Sequence, residues 1–118
     1  MERISIIMYE GVKLIFLNAK DIKDENELCM NIEKLADTAI INNIKLFLMD
    51  VTGTHTTPRV RDTANKALEK SKNQLGQIYS SLIGLSAVQR IIANTISRDQ
   101  HFAANIDDAK KWLLSKVK

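Results

Sequence analysis

The spacing of apolar and polar residues predicts strands and helices that alternate along the chain. Two β-rich runs, residues 4–9 and 12–17, are joined across Glu10-Gly11. This junction is typical of a two-residue hairpin with glycine where a positive φ is needed. The two runs are therefore expected to pair antiparallel.

A helix and a buried strand are predicted next. Asp24 is a candidate N-cap for a helix that ends near Asn42-Asn43. Its apolar residues recur on one stripe, which comprises Leu28, Ile32, Leu35, Ala36 and Ala39. The continuous apolar run at residues 46–49 then predicts a strand covered on both faces, with Asp50 ending it.

The second half of the chain repeats this alternation. Thr57 and Pro58 are predicted as N-cap and first-turn residue of a helix that ends around Asn73, because proline lacks an N–H that would be unpaired there anyway. Residues 77–83 predict a strand, and Ser86 and Gln89 match a capping box for the next helix. A last strand at residues 101–106 is followed by Asp107 as the predicted N-cap of the closing helix.

This order of elements predicts an α/β fold in one domain, residues 1–118. An opening antiparallel hairpin followed by strand–helix repeats implies right-handed crossovers. The expected architecture is a mixed, mostly parallel sheet of about five strands with about four helices.

Composition and length favour a compact cytoplasmic protein. The chain has 118 residues, of which 45% are apolar, and no run approaches the roughly 18 apolar residues of a membrane span. The N-terminal stretch MERISIIMYE is too short and too polar for a signal peptide. Cys29 is the only cysteine, which excludes an intrachain disulfide and a cysteine-based zinc site and favours a buried structural thiol.

The net charge of +3 hides an asymmetry between the two halves of the chain. Residues 1–56 carry 6 basic and 9 acidic side chains, whereas residues 57–118 carry 11 and 5. Basic residues of the second helix are interspersed with Asp62 and Glu69, which indicates a solvated charged face. Aromatic residues make up 5%, too few to interleave with the basic residues and stack bases, so no nucleic-acid partner is expected.

Three turns are predicted to meet at one edge of the sheet, because parallel strands deliver their carboxyl ends to the same side. They are residues 50–57, 84–86 and 105–107. Helix N-termini at such an edge present unpaired N–H groups to an anion or a partner. Helix capping alone also explains Thr57, Ser86 and Asp107. The candidate partner-binding or anion-binding residues are Asp50, Thr52, His55, Thr57, Arg59 and Ser86.

Three segments carry a resemblance to a known family. These are LFLMDVTGTHTTPRV, SLIGLSAVQRIIANTIS and IDDAKKWL. The chain resembles the STAS domains of sulfate transporters and anti-sigma-factor antagonists, and especially the small bacterial STAS-like (SpoIIAA-like) proteins. In such proteins an Asp-x-Ser/Thr-Gly ends the central strand, as Asp50, Thr52 and Gly53 do here, and a Gly-hydrophobic-Ser turn opens the following helix, as Gly84 and Ser86 do. The resemblance spans nearly the whole chain and implies a non-enzymatic regulatory module that binds another protein.

The chain departs from the antagonists at the start of the second helix. Antagonists resemble one another in an Asp-Ser-Ser-Gly or Asp-Thr-Ser-Gly there, whereas this chain has Thr57, Pro58, Arg59 and Val60. The phosphorylatable serine thus has no direct counterpart. Thr57 is the candidate phosphosite, because a phosphate there would lie beside a helix N-terminus and Arg59.

The residues give less support to an enzyme or to a cofactor-binding protein. Asp50 and His55 are close enough in sequence to meet in a hydrolase site, although nothing supplies an evident nucleophile or oxyanion site. The sequence has no dinucleotide or P-loop motif, and His101 has no further ligand near it, so no cofactor or metal is expected.

The main alternative is a carrier of a lipid or other small apolar ligand, of the STAS/SEC14 type. Met8, Met30 and Met49 are its candidate cleft residues. The sequence-based hypothesis is therefore a protein-interaction module, with a homodimer and an apolar ligand as open alternatives.

Overall fold

The computed structural model describes residues 3–55, 57–84 and 100–117. Five strands form one sheet in the order β1-β2-β3-β4-β5. Strands β1 and β2 are antiparallel, and β2 to β5 are parallel to one another. The predicted mixed sheet with an opening hairpin is confirmed.

Three helices accompany the sheet in the described ranges. The strands are β1 (Ile4–Tyr9), β2 (Val12–Asn18), β3 (Leu46–Asp50), β4 (Tyr79–Ile83) and β5 (Gln100–Ala103); the helices are α1 (Glu25–Asn42), α2 (Pro58–Leu75) and α3 (Ile106–Ser115). The further helix predicted to begin at Ser86 lies outside the described residues.

The hairpin between β1 and β2 is a two-residue turn, as predicted. Tyr9 is paired with Val12, and both turn residues have positive φ, 52° at Glu10 and 79° at Gly11. Two successive left-handed residues match the right-handed twist of the flanking strands. The geometry of this turn therefore determines which residues of β1 and β2 pair with each other.

Strand β3 is the centre of the core, because both of its faces are covered. Phe47 and Met49 pack in the cluster under α1 and α2, whereas Leu46 and Leu48 pack in the cluster under α3. All four are at most 9% exposed. The predicted burial of this apolar run on both faces is confirmed.

Helix α1 follows the sequence prediction closely. Asp24 caps it by accepting from the N–H groups of Asn26 and Glu27, and Asn43 ends it in the left-handed conformation. The five residues of the predicted stripe are buried, together with Cys29. Burying a leucine or isoleucine side chain contributes about 1.5–3 kcal/mol, so this stripe holds α1 to the sheet.

Helix α2 begins as predicted and extends two residues further. Thr57 is its N-cap, and it ends at Leu75, with Gly76 as C-cap, not at Asn73. Only Val60, Ser71 and Leu75 are buried in it. Most of α2 is therefore a polar surface packed against α1 on one side.

The C-terminal elements correct the prediction in two places. Strand β5 ends at Ala103 instead of residue 106, and Asn105, not Asp107, caps α3 by accepting from the Asp108 N–H at 2.8 Å. Asp107 lies in the first helical turn. The negative charge of Asp107 is favourable at the positive end of the helix dipole, but Asp107 is not the N-cap.

Helix α3 is held to the sheet by an aromatic contact as well as by its apolar side. The Trp112 ring stacks on His101, with centroids 5.0 Å apart and planes 9° apart. It meets the edge of Tyr79 at 6.1 Å, and the Lys116 Nζ lies 4.9 Å from its centroid.

The charge asymmetry of the sequence has a structural counterpart between α1 and α2. Lys70 on α2 pairs with Asp37 on α1 at 2.5 Å, and Arg59 lies 3.8 Å from Glu25. The acidic first half thus lies beside the basic second half. In the described part of the chain, no helix is both long and apolar enough to cross a membrane.

Candidate partner-binding site at the carboxyl edge of the sheet

The loop after β3 is fixed by backbone hydrogen bonds to its neighbours on both sides. The Asp21 N–H donates to the Thr52 carbonyl at 2.8 Å, and the Val51 N–H donates to the Ile83 carbonyl at 2.9 Å. The Lys23 ammonium donates to the Gly53 carbonyl. The loop is therefore bonded to the segment that follows β2 and to the last residue of β4.

Asp50 and Thr52, two of the predicted site residues, are bonded to each other. The Asp50 carboxylate accepts from the Thr52 N–H at 3.0 Å and from its hydroxyl at 2.7 Å. A β-carbon on Gly84 would lie 2.1 Å from the Thr52 hydroxyl oxygen and 2.6 Å from its Cα. Gly84 is thus required for the close approach of β4 to this loop.

Thr57 joins the starts of α1 and α2. Its hydroxyl oxygen accepts from the Val60 N–H at 3.2 Å and donates to the Glu25 carboxylate at 2.6 Å. The first bond is the predicted cap, which is confirmed. The second bond links two helix N-termini.

Arg59 strengthens the same link from the outer side. Its guanidinium lies 3.8 Å from the Glu25 carboxylate and donates to the side chain of Asn26. The Arg59 side chain nevertheless remains 56% exposed. It is therefore held in place and still accessible.

His55 is exposed in the loop after β3. The described hydrogen bonds of the Asp50 carboxylate go to Thr52, not to His55. Among the described residues, no hydrogen bond or ion pair joins Asp50 to His55, so the hydrolase alternative gains no support from these two side chains. Within the described residues, no group of three potential ligands lies close enough to hold a metal ion.

The remaining predicted residues lie apart from this cluster or outside the described residues. Ser86 falls in the undescribed segment 85–99. Asn105 follows β5, two strands away from β3. Asp108, in the first turn of α3, is bonded to the segment after β5. Its carboxylate accepts from the Ala104 N–H at 3.1 Å and lies 3.3 Å from the His101 Nε2. The Ala104 hydrogen bond, followed by His101, lowers the pKa of Asp108 below its ordinary value.

The sequence prediction missed the contribution of the segment after β2. Asp21, Lys23 and Glu25 contact residues of the β3–α2 connection, and Asn26 contacts Arg59 in the first turn of α2. Strand β2 is antiparallel to β1 but parallel to β3, so its carboxyl end reaches the same edge. The parallel pairing that the strand–helix pattern implied was the signal for this proximity.

The methionines proposed to line an apolar cleft do not share one. Met8 is 61% exposed and Met30 is 68% exposed, whereas Met49 is packed in the core. A shallow depression on α2 has polar lining, namely Lys66, Glu69, Lys70, Asn73 and Gln74. The three methionines therefore do not line a common cleft among the described residues. We call the remaining described candidate residues the β3–α2 surface; His55 and Arg59 are exposed in it, and Asp50, Thr52 and Thr57 are partly buried.

Comparison with known proteins decides the fold. No family model matches the sequence, and no curated protein matches it. The structure is similar to the crystal structure of an uncharacterised protein of the DUF3478 family with a SpoIIAA-like fold, from Shewanella loihica. That likeness has a TM-score of 0.67 at 19% identity and covers 93% of this chain and 91% of the other. The chain has a SpoIIAA-like fold.

A second solved structure shows the same fold. It is an anti-sigma factor antagonist from Mycobacterium paratuberculosis, with a TM-score of 0.62 and 10% identity over 94% of this chain and 92% of that chain. The STAS-like fold predicted from the sequence segments is thus confirmed. On the SpoIIAA-like fold of this chain, the β3–α2 surface lies where the loop after the central strand meets two helix starts.

Proposed function

We propose that the protein is a non-enzymatic regulatory module, a single STAS-like domain of residues 1–118 that acts in the cytoplasm by binding another protein. The proposed contact surface is the β3–α2 surface. The likeness to a solved anti-sigma factor antagonist supports a protein partner.

The observation that carries this proposal is that the surface is both ordered and accessible. The backbone of its loop is bonded to the segment after β2 and to the last residue of β4, while His55 is exposed and the Arg59 side chain is 56% exposed. A surface held in its binding conformation loses little conformational entropy on association. Exposed loops on a rigid scaffold are also where binding residues concentrate.

Affinity capture with matched variants tests the surface. Wild-type protein is used as bait in a bacterial lysate, beside His55→Ala/Arg59→Ala, and retained proteins and lipids are identified by mass spectrometry. We expect a protein retained by the wild type and lost with the double variant, because both replaced side chains face solvent and dominate the accessible part of the surface.

Lys66→Ala is the matched control. Lys66 is exposed and lies two helical turns beyond Arg59, so the variant removes a charge from α2 outside the surface. A partner retained equally by all three baits contradicts the proposed surface. Recovery of a lipid in place of a protein supports the carrier alternative.

Thr57 remains our proposed phosphosite, with a consequence that its contacts define. Its hydroxyl donates to Glu25, so a phosphate would replace a hydrogen-bond donor with negative charge facing a carboxylate. The link between the two helix starts would then open while Arg59 stays near the phosphate. Peptide mass spectrometry of the protein from its native cells checks this, and an unmodified Thr57 under all growth conditions rules it out.

A further inference from the structure

The outer edge of β1 has the features of a strand that pairs with another strand. β1 ends the sheet on one side, and its six residues, ISIIMY, include no charged side chain. Ile6 is 45% exposed and Met8 is 61% exposed. Edge strands are usually protected by charges, proline, bulges or shortness. The opposite edge, β5, is only four residues long.

The hairpin determines which backbone groups of β1 point outward. In an antiparallel ladder, hydrogen-bonded and non-hydrogen-bonded pairs alternate, and the pair that closes a two-residue turn is hydrogen-bonded. Tyr9 pairs with Val12 in this way, and the Asn18 N–H donates to the Arg3 carbonyl at 2.8 Å. Residues 3, 5, 7 and 9 thus bond to β2, and the N–H and C=O groups of Ile4, Ile6 and Met8 point away from the sheet.

We propose that β1 pairs antiparallel with β1 of a second copy of this chain, about a twofold axis at Ile6. Ile6 then lies opposite the partner's Ile6, and Ile4 lies opposite the partner's Met8. Every outward N–H and C=O of the strand gains a partner in this register. The twofold axis is perpendicular to the sheet, so both copies keep their α1–α2 faces on the same side.

The lack of charged side chains in β1 and its exposed apolar side chains both favour pairing of the strand with a second copy of itself. No charged side chain lies within residues 4–9, so no like charges are placed opposite each other, an arrangement that destabilises strand pairs. The exposed Ile6 and Met8 side chains extend from the same face and gain apolar neighbours. A shift of two residues in one direction would place Ile4 opposite Glu10 of the partner's turn, and a shift of two in the other would place Met8 opposite residue 2, which precedes β1. Either shift leaves one residue of the strand without a strand partner.

The predicted dimer is weak because its contact is small. A single strand pair falls in the class of interfaces below about 1,200 Å², which are typical of transient association. We expect the mass measured by sedimentation equilibrium to rise from monomer toward dimer as the protein concentration increases from about 10 μM to about 1 mM.

Ile6→Lys is the variant that tests the register, since it places two like charges on the twofold axis. We expect its association to weaken at least tenfold, whereas Ile41→Lys should associate as the wild type does. Ile41 is also an exposed apolar residue, 82% exposed, but lies on α1. Met8→Lys provides a second edge variant, and circular dichroism checks that each variant is folded.

Amide hydrogen exchange of the wild type tests the pairing without any substitution. Protection of the Ile4, Ile6 and Met8 amides should rise with protein concentration, while that of Ser5 and Ile7 should not change. A monomer at all concentrations, a dimer indifferent to Ile6→Lys, or protection without this alternation overturns the proposal. The β3–α2 surface is not involved in this pairing, so its proposed function stands or falls separately.

Discussion

Thr57 is the residue with the most structural roles at the candidate site. Replacing it with alanine removes both the cap of α2 and the hydrogen bond to Glu25. We expect Thr57→Ala to lower the free energy of unfolding by about 0.5 to 2 kcal/mol, the usual effect of losing a cap. Urea denaturation measures this change.

Thr57→Ser is the matched control, because serine keeps a hydroxyl that accepts from Val60 and donates to Glu25. Its stability should stay close to that of the wild type. Equal melting temperatures for Thr57→Ala and the wild type would show that neither bond contributes to stability.

Asp108 connects stability to pH. Its pKa is lowered in the folded protein by the Ala104 N–H and then by His101. Folding is therefore favoured by the ionised carboxylate, and this contribution is present above about pH 4, the unfolded value. It is lost as the pH falls through the lowered folded pKa.

Asp108→Asn should therefore be less stable than the wild type at pH 7, with the difference shrinking below pH 4. Thermal unfolding at a series of pH values measures it. Asp107→Asn removes the same charge one residue earlier in the same turn and serves as the control. A difference between wild type and Asp108→Asn that is constant from pH 7 to pH 2 would contradict this linkage.

Residues that act on near neighbours in the sequence could be predicted, whereas contacts between residues far apart in the sequence could not. The caps Asp24 and Thr57 were found because a cap acts on N–H groups two or three residues away. The choice of Asp107 over Asn105 was wrong, since both residue types cap well and the end of β5 was placed too late. The bond from Thr57 to Glu25 joins residues 32 apart, and no local pattern encodes it.

At the scale of the elements, the junction of β4 with the β3–α2 loop depends on Gly84. Gly84 has φ of +91°, and an added β-carbon would overlap Thr52. Gly11 has φ of +79° in the hairpin, with nothing within 4 Å of an added β-carbon. A side chain at Gly11 would therefore strain only the backbone, whereas a side chain at Gly84 would also clash with Thr52.

We expect Gly11→Ala to cost about 1 to 2 kcal/mol of stability from the left-handed backbone alone. Gly84→Ala should cost more, because Thr52 must move and its bonds to Asp50 weaken. Chemical denaturation of both variants measures the difference. Equal losses would mean that the loop adapts to the added methyl group freely.

The strands show where sequence patterns succeed at this scale. A run of apolar residues predicted β3 because a strand buried on both faces needs no polar alternation. The same approach placed β5 too long, since Ile106 was counted as a strand residue. Ile106 instead starts α3 and is 40% exposed.

At the scale of the whole molecule, alternation of strands and helices was enough to predict a mixed, mostly parallel sheet that opens with an antiparallel hairpin. The hairpin turn and the crossover rule leave few other topologies. Convergence of the loop after β2 with the loop after β3 was missed, because β2 was considered only as the partner of β1. Its second, parallel pairing to β3 brings Asp21 to the site.

The opposite charges of the two halves of the chain affect how α1 and α2 lie beside each other more than they affect the stability of the fold. Lys70 and Asp37 are each more than half exposed, and exposed ion pairs contribute about 0 to 1 kcal/mol. Their positions nevertheless place an acidic helix beside a basic one. The charge asymmetry between the two halves of the chain could have indicated a nucleic-acid partner. Part of it is instead accounted for by ion pairs between α1 and α2.

The stacking of Trp112 on His101 also gives the protein a built-in optical label. Trp112 is the only tryptophan of the chain, so its emission reports on one location, the contact between α3 and β5. Separation of α3 from the sheet would change the polarity around the indole and its quenching by the imidazole. Fluorescence can thus follow the docking of the last helix during unfolding or partner binding, with no dye attached.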